Sequence, residues 1–327
     1  MKKIKVGIVG GAGYTGGELI RLLLNHSHVE IVFVHSKSKS HQFIYETHTD
    51  LIGDTDLKFS DTISQNIDVL FLCVAHGEAK KWLDENKLND TIKIIDLSAD
   101  FRMKDIALKT VSLFVYGLPE LNRDAIKAAQ FVANPGCFAT CIQLALLPLA
   151  KGKLLKNEIH ISATTGSTGA GQALSTTSHF SWRNNNLSFY KPFEHQHLNE
   201  INQSILQLQN EFASTIHFIP QRGSFARGIF ASCYLDCDIS IEEAIALYED
   251  FYADHPFVVI SKQNIDLKQV VNTNKCLLYL EKHGNKLLIA SAIDNLLKGA
   301  SGQAVQNMNL LFGLAETTGL KLKATAF

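Results

Sequence analysis

Of six cysteines, one stands where a thiol could act as a nucleophile. Cys137 lies in Asn134-Pro135-Gly136-Cys137-Phe138-Ala139-Thr140, just ahead of the apolar run Ile142 to Leu149. The run predicts a helix with Cys137 at its N-terminus, where the helix dipole lowers a thiol pKa and backbone N–H groups can hold an oxyanion. Cys73, Cys141, Cys233, Cys237 and Cys276 fall in apolar or strand-like segments and read as small core residues. A reactive thiol needs an acid or base, and His195-Gln196-His197 is the best candidate, because histidines at i and i+2 of an extended chain share a face. A pair of surface histidines is the bland alternative. No His-Glu-X-X-His or Cys-X-X-Cys pattern occurs, so no metal site is expected.

Two glycine-rich turns could hold anions. The first spans Gly10, Gly11, Ala12, Gly13, Tyr14, Thr15 and Gly16, between the apolar run Ile4 to Val9 and a helical pattern from Glu18 to Leu24. Missing side chains let a pyrophosphate approach such a backbone, and the helix N-terminus stabilises its charge; a tight turn that binds nothing is the alternative. NAD sites usually end the second strand with a carboxylate for the ribose hydroxyls, yet this chain has His35-Ser36-Lys37-Ser38. One cation and two hydroxyls suit a 2′-phosphate, so Ser36, Lys37 and Ser38 predict NADP. The second turn is Gly166-Ser167-Thr168-Gly169-Ala170-Gly171, whose N–H groups could cradle a phosphate or carboxylate. Gly166 and Gly169 are assigned to the cofactor; Asn134, Ser167, Arg227 and Arg222 are assigned to the substrate. Arg227, opening a strand beside small residues, could grip an anion bidentately.

The elements that must position these residues follow from hydrophobic periodicity. Apolar strands at Ile4 to Val9, Val29 to Val34, Val69 to Val74 and Ile92 to Leu97 alternate with helical or loop stretches, as in a doubly wound parallel sheet. After Leu149 strand-like segments dominate: Glu158 to Ala163, Ile216 to Pro220, Gly228 to Leu235 and Lys286 to Ile293, with helices near Glu200 to Phe212 and Ile241 to Tyr252. A last helical pattern, Gln303 to about Leu314, has no strand of its own and is expected to pack back on the first domain. The fold expected is therefore α/β: a Rossmann-type dinucleotide domain, residues 1–136 and 295–327, with an inserted α+β catalytic domain, 137–294. At 327 residues two cores are expected. A net charge of -1 offers nucleic acid no basic field, and no span of about 18 apolar residues suggests a membrane helix. The apolar run at the N-terminus is too short for a secretion signal, so a cytoplasmic location with reduced thiols is expected.

Together these segments resemble the N-acetyl-γ-glutamyl-phosphate reductase family, relatives of aspartate-semialdehyde dehydrogenase. The resemblance is carried by Gly10 to Leu19, Asp96 to Arg102, Tyr116 to Leu121, Ala133 to Thr140, Gly166 to Gly171, His195 to Ile201 and Asp294 to Leu310. It implies that the Cys137 thiolate attacks a γ-acyl phosphate, phosphate leaves, and NADPH reduces the thioester to a semialdehyde, a step of arginine biosynthesis. By motif position it implies His195 as acid and base, with His197 second, and Asn295 and Gly299 as nicotinamide-side residues. Asp100 and Arg102 are implied to be structural. The resemblance also implies a homodimer or homotetramer, with residues 137–294 as its catalytic and dimerisation domain.

The chain departs from the family at Gln221-Arg222, where many relatives have His-Leu. Arg222, with Arg183, could pair an extra carboxylate, making the N-acyl group succinyl instead of acetyl. A β-aspartyl-phosphate reductase and a non-catalytic NADP-binding sensor are the alternative functions.

Overall fold

The computed structural model describes residues 3–104 and 114–325. It divides into two compact units, Met1–Pro135 with Ala300–Lys321, and Gly136–Gly299 with Leu322–Phe327.

The first unit is built on a parallel sheet of order β3-β2-β1-β4-β5-β7-β6. Its strands are β1 (Ile4–Val9), β2 (Val29–His35), β3 (Phe59–Ser60), β4 (Val69–Leu72), β5 (Lys93–Asp96), β6 (Phe114–Tyr116) and β7 (Phe131–Ala133). β4 reads as a continuous apolar run, VLFL, and β1 as one broken only by Lys5, IKVGIV, because strands of such a sheet are covered on both faces. The helix Tyr14–Leu24 buries Leu19, Ile20, Leu22 and Leu23 and leaves its N-terminus without a side-chain cap. The last helix runs Gly302–Leu311 and packs on the helices Pro119–Ala128 and Tyr14–Leu24, as expected of a returning element. It stops three residues short of the predicted end, where Gly313 takes φ +67°. Every residue of it is buried, so its amides need partners: Asn307 Nδ2 donates to Gly117 O at 2.9 Å and Gln306 Nε2 to Glu316 at 2.7 Å.

The second unit is a mixed sheet of order β12-β13-β14-β11-β8-β10-β9. Its strands are β8 (Ile159–Thr165), β9 (Ser188–Phe189), β10 (Ile216–Arg222), β11 (Ile229–Asp236), β12 (Val258–Ile260), β13 (Cys276–His283) and β14 (Lys286–Ile293). In β11 buried Ile229, Ala231, Cys233 and Leu235 alternate with more exposed neighbours, the period of a half-covered antiparallel strand. The covering layer includes the helix Cys137–Lys151, which packs on β11, β14 and the helix His197–Leu208. β13 is not among the predicted segments: Glu281-Lys282-His283 breaks its apolar run, and its antiparallel register with β14 makes it a strand. The helix predicted from Glu200 instead starts at His197 and ends at Leu208. Among the described residues no helix is long and apolar enough to cross a membrane.

Candidate active site

In the second unit Cys137 is the first residue of a helix, with Gly136 as extended N-cap and no side-chain cap bond. The first-turn N–H groups are thus not taken by a capping side chain, the arrangement that favours an oxyanion. Cys137 is half-buried, whereas the other five cysteines are buried. Burial pushes the Cys73 and Cys233 thiols up to about 12 and Cys141 well above its usual value, so these are inert at neutral pH. Glycines close on the nucleophile from both sides. A Cβ on Gly299 would lie 2.8 Å from Cys137 Cβ, and one on Gly136 would fall on the His197 ring. Gly299, assigned to the cofactor from the sequence, is therefore also packing against the thiol-bearing residue.

His195 and His197 do not lie in extended chain. Gln196 is helical and His197 opens the helix, so neighbouring turns of backbone, not a strand face, bring the rings to 4.6 Å between centroids. The His197 N–H donates to His195 Nδ1 at 3.2 Å, which leaves Nε2 to carry the proton of the neutral ring. Burial, then the Lys191 cation, pulls His195 down to about 4, with Arg222 acting the same way and Glu200 opposing. Glu200 is buried; its Oε2 accepts the Gly136 N–H at 3.0 Å and its Oε1 lies 3.8 Å from His197 Nε2. Tyr190 sits 5.7 Å from His195, ring to ring, beneath the Arg222 guanidinium at 4.6 Å. Burial pushes the Tyr190 phenol up to about 12, with the Cys137 charge adding and Arg222 opposing. Glu200 and Tyr190 were not identified from sequence. Glu200 carried one usable signal: it lies three residues after His197 on a helix, hence on the same face.

The second glycine turn does not offer the expected anion cradle. The N–H groups of Gly166, Ser167 and Thr168 donate to Gly228, Phe225 and Ala226 carbonyls at 2.9, 2.8 and 3.1 Å. Those of Gly169 and Gly171 close the turn on Gly166 and Thr168. Asn295 locks the same loop, its Oδ1 accepting the Gly228 N–H at 2.7 Å and its Nδ2 donating to Thr168 at 3.0 Å. Arg227 spends its fork on buried Asp294, Nε to Oδ2 at 3.1 Å and Nη2 to Oδ1 at 3.3 Å, so a protein carboxylate holds the bidentate geometry expected for a ligand. Arg183, the expected helper of Arg222, donates to the carbonyls of Thr177, Asn186 and Arg222 and is a loop clamp.

The first unit carries the cofactor features. Gly10 takes φ +82° against the Cys73 carbonyl, where a Cβ has no room. Gly13 ends the turn as N-cap of the Tyr14–Leu24 helix. Beside it lies a cavity of about 410 Å³ lined by Gly10, His35, Ser36, Lys37 and Ser38 on one side and Glu78, Lys81, Trp82 and Glu85 on the other. An open glycine turn, an uncapped helix and a cation with two hydroxyls after β2 fit a phosphorylated dinucleotide. Lys81 and Trp82 went unnoticed in the sequence because their helix, Glu78–Glu85, meets the β2 end only through the fold. Asn134, assigned to the substrate, is buried with its amide engaged by Ala300 O and Asn307, and its carbonyl accepts from Arg102 at 2.8 Å. Asp100 and Arg102 both serve backbone groups, Asp100 accepting from Gly77 and Lys80 and Arg102 donating also to Leu97 O. Among the described residues no cluster of three His, Cys, Asp or Glu could hold a metal ion.

A parallel-sheet dinucleotide unit and a mixed-sheet unit led by a helix-borne cysteine define a protein of the semialdehyde dehydrogenase class. The sequence matches the semialdehyde dehydrogenase NAD binding domain over residues 5–129 and the dimerisation domain over 137–295. Aspartate semialdehyde dehydrogenase II from Vibrio cholerae has the same fold, with a TM-score of 0.73 over 96% of this chain and 99% of that one at 15% identity. N-acetyl-gamma-glutamyl-phosphate reductases from Phocaeicola vulgatus and Bacteroides thetaiotaomicron are 60% and 59% identical, each over 99% of this chain and all of theirs. That of Flavobacterium johnsoniae is 57% identical over the same share. The chain belongs to the N-acetyl-γ-glutamyl-phosphate reductase family, a family of oxidoreductases.

Proposed function

We propose that this chain reduces an N-acyl-γ-glutamyl phosphate to the N-acyl-glutamate 5-semialdehyde with NADPH, releasing phosphate, through a thioester on Cys137, as a step of arginine biosynthesis. The observation that carries the reading is the seat of Cys137: a half-buried thiol opening an uncapped helix, between two glycines, with a histidine pair and a buried carboxylate beside it. The Cys137 thiolate attacks the acyl carbon, and first-turn N–H groups of its helix hold the oxyanion as phosphate departs. NADPH, when bound, would supply the hydride that brings the acyl group to the aldehyde level. The Nε2–H of neutral His195 donates a hydrogen bond to the oxyanion on the reacting carbon, and as that oxyanion collapses to the aldehyde carbonyl the carbon–sulfur bond breaks and the Cys137 thiolate is released. His197, backed by Glu200, orients His195 through its N–H. The glycine turn from Gly10 to Gly16 and the Ser36-Lys37-Ser38 segment would hold the cofactor's phosphates, with Lys81 and Trp82 across the cavity. Asn295 and Gly299 remain the proposed nicotinamide-side residues, Gly166 and Gly169 further proposed cofactor contacts, and Ser167 a proposed substrate contact.

Arg222 is the better candidate than Arg227 for an anionic substrate group. Its Nε is buried without a hydrogen-bond partner, whereas Arg227 already holds Asp294. This observation keeps a succinyl group in play beside acetyl, because an extra carboxylate would satisfy that donor. The dimerisation-domain match supports a homodimer or homotetramer, and six free thiols support a cytoplasmic setting.

The test is phosphate-dependent NADP reduction by N-acetyl- and N-succinyl-glutamate semialdehyde, with aspartate semialdehyde as the rival substrate, in wild type, Cys137→Ser and Arg222→Leu. Turnover of a glutamate semialdehyde, lost in Cys137→Ser, is expected. Turnover of the aspartate compound alone would overturn the substrate assignment, and turnover surviving in Cys137→Ser would overturn the thioester. A preference for the acetyl substrate that Arg222→Leu leaves unchanged would remove succinyl.

A further inference from the structure

The loop between β2 and β3 sends one side chain beneath the glycine turn. His48 is buried, and its Nε2 lies 2.8 Å from the Gly11 carbonyl oxygen, which can only accept, so Nε2 donates. Its backbone is anchored on both sides, His48 N–H donating to Ile44 O at 2.9 Å and Leu51 N–H to His48 O at 3.0 Å. The ring also explains a glycine that the fingerprint does not require. A Cβ on Gly17 would lie 2.5 Å from both Cε1 and Nδ1 of His48, so Gly17 and His48 occupy one space.

We propose that His48 is a positioning residue for the cofactor turn; the inference rests on the NADPH reading above. Across a trans peptide the carbonyl and the next N–H point in opposite directions. Holding the Gly11 carbonyl from beneath therefore directs the Ala12 N–H to the far side of the peptide. Gly10 and Gly11 are already tied through their own N–H groups to the His35 carbonyl, at 3.1 and 3.2 Å. The peptide after Gly11 is the next joint along, and His48 restrains it. A turn set in advance spends less binding free energy on its own ordering when a pyrophosphate arrives.

The test begins with NADPH binding to the wild-type protein, followed by fluorescence, and continues with steady-state kinetics of His48→Leu, His48→Gln and Gly17→Ala. His48→Leu is expected to weaken NADPH binding and raise its KM about tenfold, the value of one hydrogen bond at about 1.4 kcal/mol, with kcat and the semialdehyde KM within twofold. His48→Gln, which keeps a donor near the Nε2 position, is expected to recover most of that loss. Gly17→Ala, which forces the ring aside, is expected to match His48→Leu. Wild-type protein that does not bind NADPH would overturn the cofactor reading and this inference with it. Binding in the wild type that is unchanged in His48→Leu would overturn the inference alone. Equal losses in His48→Leu and His48→Gln, tracking a common fall in Tm, would likewise reduce His48 to a packing residue.

Discussion

Gly299→Ala separates two roles for one position. Gly299 is held by its N–H, which donates to Asp294 O at 2.9 Å, and an added Cβ would meet Cys137 Cβ at 2.8 Å and Cα at 3.2 Å. Carbon atoms rest at about 3.5–4.0 Å, so about 1 Å of movement is needed. The Cys137 side cannot easily recoil, since Phe138 through Ala150 of its helix are all buried. Overpacking of this kind costs about 1–3 kcal/mol of stability, and a displacement of about 1 Å at a reacting atom costs about a hundredfold in rate. The expected result is a kcat for phosphate-dependent NADP reduction lowered about a hundredfold, NADP KM within about threefold, and slower alkylation of Cys137 by iodoacetamide. A variant with kcat within twofold of wild type would refute the seat as drawn. A raised NADP KM with kcat intact would return Gly299 to a purely cofactor-facing role.

Gly136→Ala displaces the His197 ring and weakens its approach to Glu200; kcat should fall at least tenfold, on the order of one lost charge-assisted contact, while NADPH binding by fluorescence holds. Lys37→Ala should raise the KM for NADPH about tenfold and leave that for NADH unchanged, and equal effects on both would remove the 2′-phosphate assignment. His195 makes stability pH-dependent. Its folded pKa of about 4 lies below the unfolded value near 6.5, so the unfolded chain binds the extra proton, and stability falls as pH drops from about 6.5 through 4. The full loss is on the order of 3 kcal/mol, and His195→Asn should flatten the slope of urea midpoints between pH 7 and 4.5; an unchanged slope would place the acid sensitivity elsewhere.

Local sequence was enough to locate the glycine turn, the Pro-Gly-Cys entry to a helix, the carboxylate-free end of β2 and the returning C-terminal helix. Each is a property of a few consecutive residues: a missing Cβ, a helix start, an absent carboxylate, an apolar period. What needed the tertiary structure was pairing across long separations. Arg227 lies 67 residues from Asp294, Gly136 lies 64 from Glu200, and His48 lies 37 from Gly11. Composition cannot say whether an arginine fork faces a ligand or a protein carboxylate, nor whether the N–H groups of Gly166 to Thr168 are spent, because both depend on which backbone the fold brings alongside. The histidine pair shows the same division: the sequence paired the rings on an extended-strand face, whereas a helical turn at Gln196 brings them together and lets the His197 N–H fix which His195 nitrogen carries the proton.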